Sequence, residues 1–505
     1  SHPIFRGELK ADTITMNGVE LTEIRSFAHY ENGIIELENT GFRQGTDGSV
    51  TARLHYDTET RALRGTMDIT QMDVGALLAL ANQKEDRVAG KITSKVQLGG
   101  SLDNPSVALT GEIAEGTLAS YPISNVKIDV ALADRVLTVR TLAGKQGSGA
   151  FTVSGTMDFN GMANVEIAAS DIAIGLFTRF ANVTEEVTGT ATLTAHIGGY
   201  TQNPEADLHL VAKDGGMHGN SFDEMLVEAQ LRNSVIHLKQ FIVTKYVDGM
   251  RYMASAHGTL PLRALTAKRS ENLSAYEEID LTIVLDNADL SLLPVFSNHV
   301  EWAMGPTEGT LKLHGTLAAP RLDGTVRVTG GALKVKYLEN PVTDMELQID
   351  ALGDRVVVRS CTGHMGAGSY MMTGHMDLSG MELTEYDFTL VMNELAIKTS
   401  FFDGPLSGSL HLTEDEYWGE KLPKLSGTID IDRALVSIPS IPETSEELPH
   451  IILDVGLTVD RHVHFFSPNF YDIHPSGYVH FGGTTRHPHT TGSIGVRRGD
   501  TVSYL

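Results

Sequence analysis

We predict a mainly β fold for this chain: an elongated, repeat-built, continuous antiparallel sheet, bent into a U around an apolar groove, with a few short amphipathic helices. Apolar and polar residues alternate along most of the 505 residues, which is the period of a strand with one buried face. The 50 glycines and 17 prolines supply the turns that many short strands need. Both observations favour strands over helices.

The stretch 307–335 shows the alternation most clearly. Leu311 and Leu313 are separated by polar residues, and a similar alternation resumes after the break at residues 319–324. We place the connection between two strands in this break, because Pro320 has no amide hydrogen to donate to a sheet. The stretch therefore predicts a strand, a turn and a second strand that share one apolar face.

A unit of about 100 residues recurs along the chain. Glycine-headed strands begin at Gly90, Gly189, Gly309 and Gly408, which lie 99, 120 and 99 residues apart. A closing phrase of glycine followed by alternating residues recurs at Gly65, Gly155, Gly258, Gly374 and Gly477. We therefore divide the chain into the tail of an earlier repeat at 1–69, four repeat units at 70–159, 160–265, 266–378 and 379–482, and a final segment at 483–505.

Three units carry one short helical pattern after the closing phrase. Asp73, Asp171 and Asp289 each precede apolar residues at helical spacing, and an aspartate side chain can cap the first amides of a helix. In the fourth unit, at 395–405, we expect only a turn. We favour a role for these helices in covering the apolar sheet face; a gating role is the alternative.

The composition excludes several classes of function. The net charge of −25 argues against binding to nucleic acid, which requires a basic surface. The single cysteine, Cys361, excludes an internal disulfide and is expected to be a buried apolar residue rather than a reactive thiol. No apolar run reaches the 18 or so residues of a transmembrane helix. We expect the chain to be a fragment whose membrane anchor lies outside it.

Candidate chemical motifs are weak, and we expect neither an enzyme nor a cofactor. The glycine-rich segments 144–149 and 363–369 are incomplete as phosphate loops and are interpreted as repeat turns. The pairs His462 with His464 and His487 with His489 lack further ligands at metal-site spacing, so no designed metal site is predicted. The Arg-Gly-Asp sequence at 498–500 is interpreted as a turn; an adhesin is favoured only if it is exposed and functional.

One short helix per unit cannot cover the apolar face of about eight strands, so the sheet must cover itself by bending. The resulting groove has room for lipid acyl chains; a filled solenoid or sandwich array is the alternative. The predicted lining consists of aliphatic and aromatic residues on one strand face: Ile128, Val130, Leu132, Leu193, Ile197, Leu208, Leu210, Met225, Val227, Leu231, Leu281, Ile283, Leu285, Leu311, Leu313, Val326, Val328, Leu347, Ile349, Phe388, Leu390, Leu410, Leu412, Ile429, Ile431, Leu453, Val455, Leu457, Val479 and Phe481.

These motifs resemble the AsmA-like superfamily of diderm bacterial envelope proteins, and within it the TamB family. The resemblance rests on GTLKLHGTLAAPRLDGTV at 309–326, its looser copies, the closing phrases, and the segment from Leu453 to the end of the chain. It implies a long β-taco in the periplasm, with phospholipid acyl chains in the groove and phospholipid transport from the inner to the outer membrane.

The resemblance further implies an inner-membrane anchor upstream and an outer-membrane barrel partner of the BamA or TamA type. Residues 483–505 would be the start of the carboxy-terminal domain of that family. The alternative function is an envelope scaffold that assists outer-membrane protein assembly by strand addition at a free sheet edge.

Overall fold

A computed structural model describes residues 4–83, 87–180, 187–217, 220–247, 249–266, 276–292, 300–336, 338–379, 382–399, 401–437, 450–467 and 471–502. Within these residues, 31 strands form one open and mostly antiparallel sheet. The predicted mainly β fold with a continuous sheet is therefore confirmed. Contacts divide the chain into two compact units, Ser1–Gly216 with Glu224–Gln240 (unit 1) and Met217–Asp223 with Phe241–Leu505 (unit 2).

The first fifteen strands are β1 Phe5–Met16, β2 Val19–Glu31, β3 Ile34–Gln44, β4 Gly48–Asp57, β5 Leu63–Asp73, β6 Val88–Gly100, β7 Pro105–Leu118, β8 Tyr121–Ala133, β9 Val136–Gln146, β10 Gly149–Asp158, β11 Met162–Ala173, β12 Val187–Tyr200, β13 Asn203–Met217, β14 Asn220–Arg232 and β15 Val235–Val247. From β1 to β12, each strand pairs antiparallel with the next one along the chain.

The remaining strands are β16 Met250–Pro261, β17 Glu278–Asp289, β18 Val300–Met304, β19 Pro306–Thr316, β20 Ala319–Val335, β21 Val342–Gly353, β22 Arg355–Met365, β23 Gly368–Ser379, β24 Glu382–Lys398, β25 Phe402–Tyr417, β26 Glu420–Val436, β27 Ile452–Ser467, β28 Tyr471–Ile473, β29 Ser476–Thr484, β30 Pro488–Gly495 and β31 Thr501–Val502. The described pairs from β16 onward are antiparallel, except that β27 runs parallel to β26. The short strand β18 pairs with β20, and β28 pairs with β27 and β31.

Two-residue turns with left-handed backbone join several of these strands. Asn17 (φ 52°) and Gly18 (φ 80°) connect β1 to β2, and Asn32 (φ 48°) and Gly33 (φ 81°) connect β2 to β3. Two successive residues with positive φ are the mark of a type I′ turn, whose twist matches that of antiparallel strands. Asparagine and glycine tolerate this backbone at low cost, so the local sequence fixes the hairpin register.

The predicted position of one connection is wrong. The turn between β19 and β20 is made by Leu317 and Ala318, and not by residues 319–324. Pro320 is the second residue of β20 and lies opposite Gly315. A proline is tolerated near the start of a strand, where few ladder hydrogen bonds are lost.

Two α-helices described in unit 1 follow strands, as the sequence predicted. Helix α1 (Val74–Leu80) is capped by Asp73, whose side chain accepts a hydrogen bond from the Ala76 amide at 2.8 Å. Helix α2 (Ile174–Phe180) begins three residues after Asp171, so the predicted capping role of Asp171 is wrong. Asp171 lies within β11 in the left-handed conformation (φ 50°), at a shift in the register with β12.

In unit 2, the described part of the third predicted helix is a 3₁₀ turn, Leu290–Leu292, and its remaining residues, 293–296, lie outside the described residues. Asp289 is buried there and accepts hydrogen bonds from the amides of Ser291 (2.7 Å) and Gly305 (2.9 Å). In the fourth sequence repeat (379–482), the chain makes the expected turn, and the Thr399 amide donates a hydrogen bond to the Phe402 carbonyl. The four-residue helix α3 (Arg263–Thr266) was not predicted.

The repeats share one backbone device. Gln71, Asp171 and Asn287 have φ near 50°, and each lies at a register shift in its strand. The residue that follows is buried each time: Met72, Ile172 and Ala288. A β-bulge thus precedes each helix or 3₁₀ turn and aims one apolar side chain into the interior. The unit boundaries derived from the sequence remain a prediction.

Glycine in the closing phrase has a second role. Gly155 lies mid-strand in β10 with φ 133°, where a Cβ would lie 2.1 Å from the carbonyl oxygen of Asn164. Gly155 also follows a register shift between β9 and β10. Only glycine fits both this backbone conformation and this approach of the neighbouring strand, so the closing phrase marks a required bend.

We expect Gly155→Val to lower the free energy of unfolding by about 3 kcal/mol, because valine is strained at this φ and collides with β11. Gly147→Asn is the matched control: Gly147 has φ 58° in an open turn with no atom within contact of an added Cβ, and asparagine adopts this backbone readily. Urea unfolding followed by circular dichroism measures both. Equal stability of the two variants would contradict the required bend.

Candidate functional site

Cross-strand register places apolar side chains in rows that cross unit 1. The first apolar row passes over twelve strands, from Gly7 in β1 to Gly199 in β12, and neighbours in the row are paired residues on adjacent strands. Its members between these ends are Ala28, Leu37, Leu54, Gly65, Leu98, Val107, Leu132, Leu137, Met157 and Ala163. Directly opposed residues share a sheet face, so the row is a continuous apolar band.

A second apolar row runs beside the first in unit 1. It begins at Ala52 in β4 and ends at Ile197 in β12. Its other members are Met67, Val96, Leu109, Val130, Val139, Gly155 and Val165. Each strand from β4 to β12 contributes to both rows, at positions two residues apart, as the alternation of a strand requires.

Unit 2 has an equivalent band. The third apolar row runs from Val328 in β20 to Phe481 in β29, through Leu347, Cys361, Met372, Leu390, Leu410, Gly427 and Val455. The fourth lies beside it, from Val326 to Gly483, through Ile349, Val358, Gly374, Phe388, Leu412, Leu425 and Leu453. The parallel pair β26–β27 keeps both rows in register.

The side chains in these rows are mostly half-buried rather than fully buried. Of the predicted groove lining, Val328, Ile431 and Val455 are buried, the other residues are half-buried, and none is exposed. A packed core shields such residues almost completely, whereas an open apolar surface does not. The apolar face therefore retains area that an apolar ligand could cover.

Sequence reasoning missed part of this face. Leu54, Leu98, Leu109 and Val139 belong to the rows and are half-buried, but they were not among the predicted lining. Their strands show the same alternation as the predicted ones, so the period of two was a sufficient signal. The continuity of the rows depends on register, which a single sequence does not specify.

Buried clusters lie beside the helical segments and also between strands alone, as at Ile431, Val459 and Val463 of β26 and β27. Leu77 and Leu80 of α1 pack against a buried cluster that includes Met72, Ile92 and Ile113. In unit 2, Leu290 of the 3₁₀ turn packs against the buried cluster of Val328, Met345, Val358 and Cys361. The helical segments thus pack on part of the apolar face, as expected from the sequence, and most of the row residues remain half-buried.

The opposite sheet face carries charged pairs. Arg355 contacts Asp377 at 2.6 Å, and Arg359 contacts Asp350 at 2.7 Å, both across neighbouring strands. On unit 1, Arg140 contacts Asp129 at 2.7 Å. Such a face is stable in water and unsuited to acyl chains.

A shallow depression of about 610 Å³ lies on this polar face in unit 1. Its walls include Asp68, Lys95, Glu112, Lys127 and Asp129. Alternating charges on an open surface offer no enclosed volume for a small molecule, so the depression is ordinary solvated sheet surface.

The structure shows where the glycine-rich segments, Cys361 and the Arg-Gly-Asp sequence lie. Segments 144–149 and 363–369 are the hairpins between β9 and β10 and between β22 and β23, as interpreted from the sequence. Cys361 is buried, and burial raises the pKa of its thiol. Asp500 of the Arg-Gly-Asp sequence has a side chain only 6% exposed, which does not suit an adhesive motif.

The two histidine pairs behave differently. His462 is 69% exposed and lies 3.7 Å from Asp460. His464 instead contacts Asp472 at 2.8 Å and stacks on His474. His487 and His489 lie at the turn into β30, with the His487 amide bonded to Thr484. Asp472 and His474 were not associated with His464 by sequence spacing, because strand pairing brings them together.

No protein-family model, curated protein or solved structure matches this chain. Among the described residues, no helix has the length and apolar character needed to cross a membrane.

The Arg355 guanidinium holds the pKa of the Asp377 carboxyl below its usual value of 3.8. Because the folded-state pKa is depressed, the pair contributes stability above pH 3.8 and loses it as the pH falls through the lower folded value. Carboxyl ¹³C NMR should show Asp377 still ionised below pH 3.8. Arg355→Gln should raise this pKa, whereas Arg359→Gln, on a different carboxylate, should not. An unchanged Asp377 titration in Arg355→Gln would contradict the assignment.

Proposed function

We propose that this chain binds phospholipid acyl chains along its apolar sheet face and conducts them between the inner and outer membranes of a diderm cell envelope. The observation that supports the proposal is the run of apolar rows across β1–β12 and β20–β29, whose side chains are mostly half-buried. An acyl chain has no polar atoms, so it requires a surface without polar interruptions along its path.

The energetics favour lipid over water on this face. Covering apolar surface contributes about 25 cal/mol per Å², or about 0.8 kcal/mol for each buried methylene. The rows offer many near-equivalent positions rather than one deep pocket, so a chain can exchange one contact for the next without losing all of them. Charged headgroups remain in water, because burying an unpaired charge is costly.

The envelope setting rests on the motif resemblance. It suggests a periplasmic location, an inner-membrane anchor upstream of these residues, and an outer-membrane barrel of the BamA or TamA family as a partner. The charge of −25 agrees with a protein that does not bind nucleic acid. The chain requires no catalytic group for this role, since its task is binding and passage.

A second candidate function is supported by one edge of unit 2. All eight residues of β30 are exposed, and within the described residues its pairing partner is β29. A free strand edge can accept another strand by backbone hydrogen bonding. A scaffold that holds unfolded outer-membrane strands would use this edge and leave the apolar rows without lipid.

Protein purified from membranes should carry phospholipid, detectable by mass spectrometry of an organic extract. Leu313→Asp should lower the bound lipid several-fold, because Leu313 lies opposite Leu281 and Leu322 and a carboxylate there meets the acyl chain. Thr310→Asp places the same charge on the same strand, at an exposed position of the other face. Phospholipid-free wild-type protein would reject the conduit and favour the scaffold.

Photocrosslinking tests which face carries the lipid. A photoreactive residue at position 313 should crosslink lipid more efficiently than one at position 312, since Leu313 is half-buried and Lys312 is exposed beside Asp280. Circular dichroism of both proteins controls for folding. Equal yields at the two positions would show that the apolar face is not the lipid path.

A further inference from the structure

Three potential metal ligands converge near the end of unit 2. The ligand atoms of His464, Asp472 and His474 all lie within 4.8 Å of one another. The His464 Nε2 atom is 2.8 Å from Asp472 Oδ1, and the rings of His464 and His474 stack with centroids 4.5 Å apart and planes only 4° from parallel. Two imidazoles and one carboxylate are thus gathered on one patch of sheet.

Strand pairing explains the convergence. In the antiparallel pair of β27 and β28, Phe465 lies opposite Ile473 and Phe466 opposite Asp472. The next position along this register sets His464 across from His474. Asp472 and His474 lie two residues apart, on the same side of their segment. The backbone therefore holds the three side chains together whether or not an ion is bound.

Asp500 orients one of the histidines. Its Oδ1 atom is 3.3 Å from His474 Nδ1, and its Oδ2 atom accepts hydrogen bonds from the backbone amides of His474 (2.9 Å) and Arg497 (2.7 Å). The Asp500 side chain is 6% exposed. When Nδ1 donates to a fixed carboxylate, the lone pair of Nε2 is left for a metal, which is the usual arrangement behind a metal-binding histidine.

We propose that His464, Asp472 and His474 bind one divalent transition-metal ion of the zinc type, with Asp500 as a positioning residue. Two imidazoles and a carboxylate suit zinc, with bonds of about 2.0–2.2 Å and a solvent molecule in the fourth position. Ligand atoms around such a tetrahedral ion lie about 3.3 Å apart, so the present separations require only small side-chain rotations. The ion would link β27 to β28.

The half-exposed side chains leave the site open to solvent, so an ion can enter without unfolding. His464 is 34%, Asp472 53% and His474 29% exposed. The competing interpretation is a hydrogen-bonded surface cluster that binds no ion specifically. The proposal is independent of lipid binding, because the site lies on charged side chains and not on the apolar rows.

Isothermal titration of the full 505-residue chain with Zn²⁺, and separately with Co²⁺, tests the proposal. We expect one ion per chain, and for Co²⁺ the visible absorption of a tetrahedral nitrogen and oxygen site. His464→Ala and His474→Ala should each abolish this binding. His462→Ala is the matched control, because His462 lies two residues away on the same strand, is largely exposed and is outside the cluster.

Asp500→Asn distinguishes positioning from general stability. It should weaken zinc affinity by about 10-fold to 100-fold and shift the Co²⁺ spectrum. The double variant His464→Ala, His474→Ala should retain the circular dichroism of the wild-type chain. Binding that persists in the double variant, or that is lost equally in His462→Ala, would overturn the proposal. So would the absence of stoichiometric binding to the wild-type chain at micromolar Zn²⁺.

Discussion

Because side chains alternate between the two faces of a strand, the apolar rows in each unit exist only while every hairpin keeps its register. A slip of one residue in any strand would bring polar side chains into the row and leave apolar ones in water. The type I′ turns at Asn17-Gly18 and Asn32-Gly33 fix register locally, at the tip of each hairpin. The apolar face thus depends on the register of many separate hairpins rather than on one central core.

Irregular backbone positions let the strands bend while remaining paired. The bulges at Gln71, Asp171 and Asn287 insert a residue near one end of a strand, and each turns the next side chain inward. Glycines such as Gly155 adopt a positive φ at mid-strand, which allows the strand to bend there. The result is a sheet with a few buried clusters, some beside the helical segments and some between strands alone, and with mostly half-buried side chains along the rows.

The sequence predicted the features that depend on period and composition. The mainly β fold, the short helix after Asp73, the turn near Thr399 and the burial of Cys361 all follow from local patterns. The features that depend on strand pairing could not be predicted from the sequence. The displacement of the β19–β20 turn to Leu317-Ala318 arises because a proline can begin a strand, and the misplaced cap at Asp171 arises because the same residue type also favours a left-handed bulge. The grouping of His464 with Asp472 and His474 requires a register that no spacing rule supplies.

The parallel pair of β26 and β27 has a consequence for how the chain folds. Antiparallel neighbours joined by tight turns can zip together outward from each hairpin, which keeps the loop-closure entropy small. Strand β27 begins sixteen residues after β26 ends and must align with it from the same end. This contact closes a longer loop before it gains any hydrogen bond. During synthesis, the strands up to β26 can therefore pair with one another before β27 and the strands after it join the sheet.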